Sequence, residues 1–138
     1  MNRKIFSKIN NQLLVSIIST YEQDTLRVDS ASEAEILQVC SLKLPAGRKV
    51  KPHKHLPIKR ETLGTQECWI VLKGKLSVQI FDINDDIIET FIINQGDCMT
   101  TYNGGHTLTV LDDAVVVEVK NGPYYGSALD SASIDIKN

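Results

Sequence analysis

The chain has 138 residues, of which 42% are hydrophobic and 23% charged, and its formal net charge is −2 at pH 7. This length fits one domain and can bury a core without disulfides or structural metals to hold it together. The small net charge excludes a general attraction to nucleic acid or acidic membranes, and no segment approaches the ~20 apolar residues of a membrane-spanning helix. We therefore expect a cytoplasmic protein with neither nucleic acid nor membrane as a partner.

Residues 1–32 are predicted to form an N-terminal extension. Apolar residues between Phe6 and Tyr21 recur at spacings of three and four, which favours a short amphipathic helix. The β-branched residues Val15, Ile17 and Ile18 are equally compatible with a strand. Both alternatives stay open on the sequence alone.

From residue 35 onward the pattern is typical of β-structure. Turn residues such as Gly47 and the Asn103-Gly104 dipeptide separate short stretches of alternating hydrophobicity. Many short strands at roughly ten-residue spacing indicate a sandwich or barrel over residues 33–126, followed by a C-terminal tail over 127–138. The predicted strands cover residues 36–44, 48–55, 67–82, 87–93, 97–102, 106–111 and 114–120.

Three cysteines, Cys40, Cys68 and Cys98, show no C-x-x-C spacing. Each lies in an apolar stretch that is predicted to be a strand. We expect buried structural thiols, which suits a reducing compartment.

The three histidines carry the clearest chemical signal. His53 and His55 are separated by one residue, and on a strand such residues project from the same face. Two imidazoles in this arrangement can bind one metal ion at about 2.0–2.1 Å. The third histidine, His106, follows Gly96 with nine residues between them.

These residues resemble the two sequence motifs of the cupins. The first motif is matched by Gly47, which is followed after five residues by His53-x-His55, and by Glu67, which is followed after six residues by Gly74. The ends of the second motif are matched by Gly96 and His106. Two departures stand out: the second motif lacks its central proline, and eleven residues separate His55 from Glu67, more than is usual in the family. The inserted stretch leaves Glu61 as an alternative to Glu67 for the acidic ligand.

The resemblance spans residues 35–122 and implies an all-β fold, a double-stranded β-helix or jelly-roll barrel of the cupin type. It also implies a divalent metal ion (zinc, manganese, iron or nickel) as cofactor. The implied ligands are His53, His55, Glu67 and His106. Cupins often form homodimers, and residues 1–32 are a plausible segment for exchange between two copies.

The function implied is to bind or act on a small polar molecule, anionic or sugar-like. Small cupins of this appearance resemble those of carbohydrate and surface-polysaccharide metabolism, so isomerase or epimerase chemistry is the first expectation. A non-catalytic sugar- or metabolite-binding module and an Fe(II)-dependent dioxygenase are the alternatives. Some sugar epimerases of this fold use a histidine base without metal. The candidate acid–base residues are Glu61, Tyr102 and Glu118.

Substrate-binding candidates lie close to the proposed ligands. Positive charge is concentrated between residues 43 and 60, and Lys59 and Arg60 could attract an anionic small molecule, although a solvated surface explains such a cluster equally well. Trp69 shares a strand face with Glu67 and is interpreted as a core residue or a stacking surface for substrate. Tyr124 and Tyr125 are expected to cover the cavity mouth, so their removal should alter ligand binding but not metal content.

Overall fold

The computed structural model describes residues 2–136 and shows a protein built almost entirely from antiparallel strands. A single 3-10 turn over Thr20–Glu22 and a four-residue helix α1 over Ser127–Asp130 are the helical elements of this range. The strands are β1 (Arg3–Phe6), β2 (Leu13–Ser19), β3 (Arg27–Asp29), β4 (Cys40–Leu42), β5 (Glu67–Phe81), β6 (Ile87–Asn94), β7 (Asp97–Thr101) and β8 (Gly105–Lys120).

Six of these strands form the main sheet, in the order β1-β2-β7-β5-β6, with β8 paired to β5. A separate two-stranded sheet consists of β3 and β4. Over residues 2–136 the main sheet stays open, because β8 has β5 as its only strand partner. The all-β expectation is confirmed, and the structure does not close into a barrel.

The long strand β5 organises the main sheet. Its first half pairs with β7, its second half pairs with β6, and β8 follows it along almost its whole length. Register shifts between Val71 and Leu76 mark a bulge at Gly74, which adopts a φ of +86°. Such irregularities increase local twist, so the two long strands curl instead of lying flat.

The main core lies on the inner face of this curled sheet. Alternate residues of β5, from Val71 to Ile80, are buried against β2 and against Met99 of β7. The buried members are Ile5, Leu14, Val15, Ile17, Val71, Leu76, Val78, Ile80, Ile93 and Met99.

The N-terminal residues belong to this sheet. Strand β2 lies between β1 and β7 of its own chain and buries Leu14, Val15 and Ile18. The helical alternative for residues 1–32 is therefore wrong. The β-branched side chains favoured a pleated surface with neighbours on both sides, which outweighed the three- and four-residue spacing.

The connection from β4 to β5 contains no strand or helix. Residues 42–64 are exposed throughout, and the predicted strand at 48–55 is absent. Of the predicted strand at 36–44, only Cys40–Leu42 forms. Lysines alternate with apolar residues in this segment, but no core lies opposite either face, and Pro52 has no N–H to donate to a ladder.

The cysteines are free thiols. Cys68 and Cys98 are buried, and Cys40 is half-buried. No helix in residues 2–136 combines the length and the apolar character needed to cross a bilayer.

Candidate functional site

An open cleft of about 880 Å³ lies where β5 begins, β7 ends and β8 begins. The end of β5 with the turn after it, from Phe81 to Asp85, and C-terminal residues between Asp130 and Ile136 form its other walls. Three of the residues expected at a site, Glu67, Tyr102 and His106, line this cleft.

Glu67 and His106 meet inside the cleft. Nε2 of His106 lies 3.4 Å from Oε2 of Glu67, and their side chains are 25% and 17% exposed. In the strand register His106 lies opposite Ile80, at the far end of β5 from Glu67. Their contact therefore depends on the curl of the two long strands, which brings the ends of β5 towards each other.

Lys120 holds the other oxygen of the Glu67 carboxylate. Its Nζ lies 3.4 Å from Oε1 of Glu67 and 3.2 Å from Oε1 of Glu118, and it stacks over the Tyr124 ring at 4.8 Å. The hydrogen bond to Glu118, with added attraction from Glu67, raises the pKa of Lys120 above its ordinary value despite some burial. The Glu67 carboxylate thus lies between an ammonium group and an imidazole.

Trp69 packs against the His106 ring from the side of the main core. The two rings meet edge to face, with centroids 6.4 Å apart and planes at 74°. Trp69 packs against the main core and does not line the cleft. Its Nε1 is buried and has no hydrogen-bond partner within residues 2–136. This placement fits the interpretation of Trp69 as a core residue.

Each of the expected acid–base residues is engaged by a neighbouring side chain, and of the three only Tyr102 lines the cleft. The Tyr102 hydroxyl donates to Oγ of Ser30 at 2.6 Å, and burial raises the pKa of Tyr102. Glu61 is exposed and pairs with Lys59 at 2.7 Å. Glu118 pairs with Lys120, as described above.

The basic residues of the inserted stretch do not reach the cleft. Lys59 is exposed and engaged by Glu61, and Arg60 donates only weakly to the Ile58 carbonyl, at 3.5 Å. Neither side chain lines the cavity. Tyr125 is exposed, and Tyr124 contacts Lys120 near the cleft without lining it.

His53 and His55 lie apart from the other two expected ligands. Both are exposed on the irregular β4–β5 connection, with ring centroids 5.5 Å apart, and Nδ1 of His53 lies 2.9 Å from the Lys51 carbonyl oxygen. Within residues 2–136, no group of three or more His, Cys, Asp or Glu side chains is arranged to hold a metal ion. The four expected ligands are present as two separate pairs, which do not fit a metal centre in this arrangement.

The sequence pattern did not predict that C-terminal residues would form a wall of the cleft. Asp130 accepts a hydrogen bond from Oγ1 of Thr65 at 2.7 Å, which ties α1 to the residues before β5. A Cβ added to Gly105 would overlap Cδ1 of Ile134, so the segment packs directly on the β8 backbone. The second glycine of the Gly104-Gly105 pair was the available signal, since glycine permits close approach of another segment.

Comparison with protein-family models, with curated proteins and with solved structures finds no match for this chain.

Proposed function

We propose that the protein binds a small, neutral, sugar-like molecule in the cleft, and that His106 and Glu67 act on it as an acid–base pair. The reaction class proposed is isomerase or epimerase chemistry on an open jelly-roll fold related to the cupins. The observation that carries the proposal is the 3.4 Å contact between His106 and Glu67 inside a large open cleft.

The 3.4 Å contact would allow the Glu67 carboxylate to orient the His106 ring as a base. If Nε2 of His106 carries its proton towards Glu67, Nδ1 is left as the proton acceptor. The base would take a proton from a carbon next to a carbonyl and return it to the other face or to the neighbouring carbon. The Glu67 carboxylate, held by Lys120, would stabilise the imidazolium formed in between.

The charges of the lining favour a neutral ligand. Four carboxylates line the cleft, and His106 is the only basic side chain among its described lining residues. Hydroxyl groups from threonines and serines lie between the carboxylates. Such a surface would repel an anion but can exchange hydrogen bonds with a polyol. The carboxylates are those of Glu67, Asp82, Asp85 and Asp130.

Proton exchange into solvent D₂O tests this proposal directly. The protein would be incubated with a panel of neutral aldoses and ketoses, and loss of the carbon-bound proton next to the carbonyl followed by NMR. We expect exchange with at least one sugar, and His106→Gln should reduce its rate by roughly 10²–10⁴-fold. Glu61→Gln is the matched control, because that carboxylate is exposed and away from the cleft.

The possible results separate three conclusions. Exchange lost in His106→Gln but kept in Glu61→Gln supports the acid–base pair. Saturable binding of a sugar without exchange supports the non-catalytic binding module. Neither binding nor exchange with any sugar of the panel would contradict the proposal.

A metal-binding function is the second candidate. It is favoured by the proximity of the His53 and His55 rings, and by the position of Glu67 directly after the segment that carries them. For all four side chains to bind one metal ion, residues 43–66 would have to fold towards the cleft. Zinc, manganese, iron and nickel remain the candidate ions, since such ligands do not distinguish among them.

Elemental analysis of protein purified without added metal tests this candidate. Stoichiometric metal that is lost in His53→Ala/His55→Ala and also in His106→Ala would support one shared centre. Iron would favour the dioxygenase alternative. Metal retained at full stoichiometry in the double variant would contradict the proposed ligand set.

A further inference from the structure

A pair of buried thiols lies on the face of β5 opposite the cleft. Cys68 follows Glu67 directly and projects to the other side of the strand, where its Sγ lies 3.2 Å from Sγ of Cys98 on β7. The two residues are 2% and 7% exposed. They pack with Ile18 in a small apolar cluster that is separate from the main core.

The strand register explains why these sulfurs meet. Cys68 pairs with Thr100 and Ile70 pairs with Cys98, so the two cysteines are diagonal neighbours on one face of adjacent antiparallel strands. Their sulfur atoms are already in contact, and a bond requires an approach to about 2.05 Å. A slight shear of β7 along β5, together with side-chain rotation, would supply this movement.

The third cysteine is placed differently. Cys40 lies on β4, in the two-stranded sheet with β3, and is half-buried. It therefore serves as an internal reference for a thiol without a cysteine neighbour in contact.

We propose that Cys68 and Cys98 form a site of reversible covalent modification, in which a peroxide converts them into an intramolecular disulfide between β5 and β7. One thiolate attacks a peroxide oxygen, the O–O bond breaks, and a sulfenic acid and water result. The second sulfur then attacks the sulfenic sulfur, the S–O bond breaks, and a second water leaves. Two thiols lose two protons and two electrons, and one hydrogen peroxide is reduced to two waters.

The apolar cluster around the two sulfurs determines which oxidants and reductants can reach them. Burial keeps large reagents away, whereas hydrogen peroxide is small enough to enter during local opening of the sheet. A disulfide formed there would be shielded from bulky reductants. The inference rests on the geometry of β5 and β7 and does not depend on the proposed function of the cleft.

The experiment is peroxide treatment of the native full chain, followed by alkylation under denaturing conditions and mass spectrometry. We expect the number of free thiols to fall from three to one, with Cys40 still alkylated and the peptides of Cys68 and Cys98 linked. Dithiothreitol should restore all three thiols. Cys40→Ala should behave like the wild type at the other two positions.

Treatment of the urea-unfolded chain is the control for native positioning. There, Cys40 should take part in the links as often as the other two cysteines. The proposal would be overturned if both Cys68 and Cys98 stayed alkylatable at a peroxide concentration that fully oxidises a cysteine-containing peptide. Links that involve Cys40 in the native protein, or sulfinic acid at either buried cysteine without a link, would overturn it as well.

Discussion

Gly74 lies where β5 packs directly on the backbone of β8. Its φ of +86° is in the left-handed region, and an added Cβ would overlap the Asp113 carbonyl oxygen and lie 2.7 Å from Cα of Ala114. Both the backbone conformation and the available space therefore require glycine here. The bulge that Gly74 permits helps to curl β5 and bring Glu67 towards His106.

We expect Gly74→Ala to lower the free energy of unfolding by about 3 kcal/mol. Roughly 1–2 kcal/mol comes from the left-handed backbone, and overpacking against β8 adds a similar amount. Gly64→Ala is the matched control, because Gly64 has a φ of +79° but nothing within 4 Å of an added Cβ. It should cost only about 1 kcal/mol. If urea unfolding showed the same decrease in the free energy of unfolding for Gly74→Ala and Gly64→Ala, overpacking against β8 would contribute nothing.

Asp82 joins two distant turns through its carboxylate. Oδ2 accepts the amide of Lys8 and Oδ1 accepts the amide of Ile83, each at 2.8 Å. Burial acts to raise the pKa of Asp82, but hydrogen bonds from Ser7 and from these amides outweigh it and hold the pKa below the ordinary value of 3.8. The ionised form is therefore favoured by folding.

Because this pKa is lower in the folded chain, the stabilisation is fully present above pH 3.8 and is lost as the pH falls through the lower folded value. We expect Asp82→Asn to destabilise the protein at pH 7, since the asparagine NH₂ group would face one of the two amides. The loss should be smaller at pH 3. Urea unfolding of both proteins at the two pH values measures this, and a difference that grows on acidification would contradict the assignment.

The longest segment for which the sequence pattern predicts the wrong structure is the connection between β4 and β5, where the strand predicted at 48–55 does not form. Alternation of polar and apolar residues specifies a strand only where one face has a core to cover and the edge has a partner. Residues 44–64 have neither, and all of them are exposed. The H-x-H pair therefore lies on a segment that the rest of the structure does not hold in place.

We expect limited trypsin digestion to cut the native protein first at basic residues of this connection. Arg48, Lys54 and Lys59 are exposed there, whereas Lys73 and Lys75 are held within β5. Proteolysis needs local unfolding, which costs little in a segment without strand pairing. Mapping the first fragments by mass spectrometry checks this. Early cleavage at Lys73 or Lys75 would contradict it.

The same digestion can be repeated with zinc or manganese present. If the four expected ligands share an ion, cleavage between residues 48 and 60 should slow, and His106→Ala should abolish this protection. Unchanged cleavage would count against the folding of this segment onto the cleft.

The second half of the sheet was predictable because its local signals agree. The expected strands at 67–82, 87–93 and 97–102 match β5, β6 and β7 within a residue or two, and the Asn103-Gly104 turn precedes β8. The two strands expected at 106–111 and 114–120 form one continuous strand, so the predicted break between them is wrong. There, alternation and turn residues point to the same structure. Glu67 and His106, which were expected to bind one metal ion, are in contact, and the shared metal ion stays a prediction.

What remained unpredictable depends on contacts between distant residues. The C-terminal wall of the cleft is set by the packing of Ile134 on Gly105, and the Glu67–His106 contact is set by the curl of two long strands. Neither is encoded in a local spacing. The strands of residues 1–32 were ambiguous for a related reason, since β2 is fixed by its pairing with β7.

For the molecule as a whole, the free edge of β8 favours association. In residues 2–136 this strand pairs only with β5, so its other edge presents unpaired backbone groups. Val115, Val117 and Val119 are 52%, 42% and 44% exposed along it. Antiparallel pairing of two copies about Val117 would bring Val115 of one opposite Val119 of the other, which is a self-complementary contact.

We therefore expect a homodimer in sedimentation equilibrium, formed through β8 and without exchange of residues 1–32. Val117→Glu should give monomers, because two carboxylates would face each other across the two-fold axis. Thr109→Glu is the control, since Thr109 is also exposed on β8 but away from the valines. A monomeric wild type, or a dimer insensitive to Val117→Glu, would contradict this arrangement.

The pairing of β5 with β6, β7 and β8 has a consequence for how the chain folds. The hairpin of β1 and β2 is synthesised well before β7, the strand with which β2 pairs. Leu14, Val15 and Ile18 must remain without their native neighbours for that time. Folding is therefore governed by closure of a long loop and will be slow for a protein of this size. During biosynthesis, this early apolar hairpin is the segment most exposed to capture by chaperones or to aggregation.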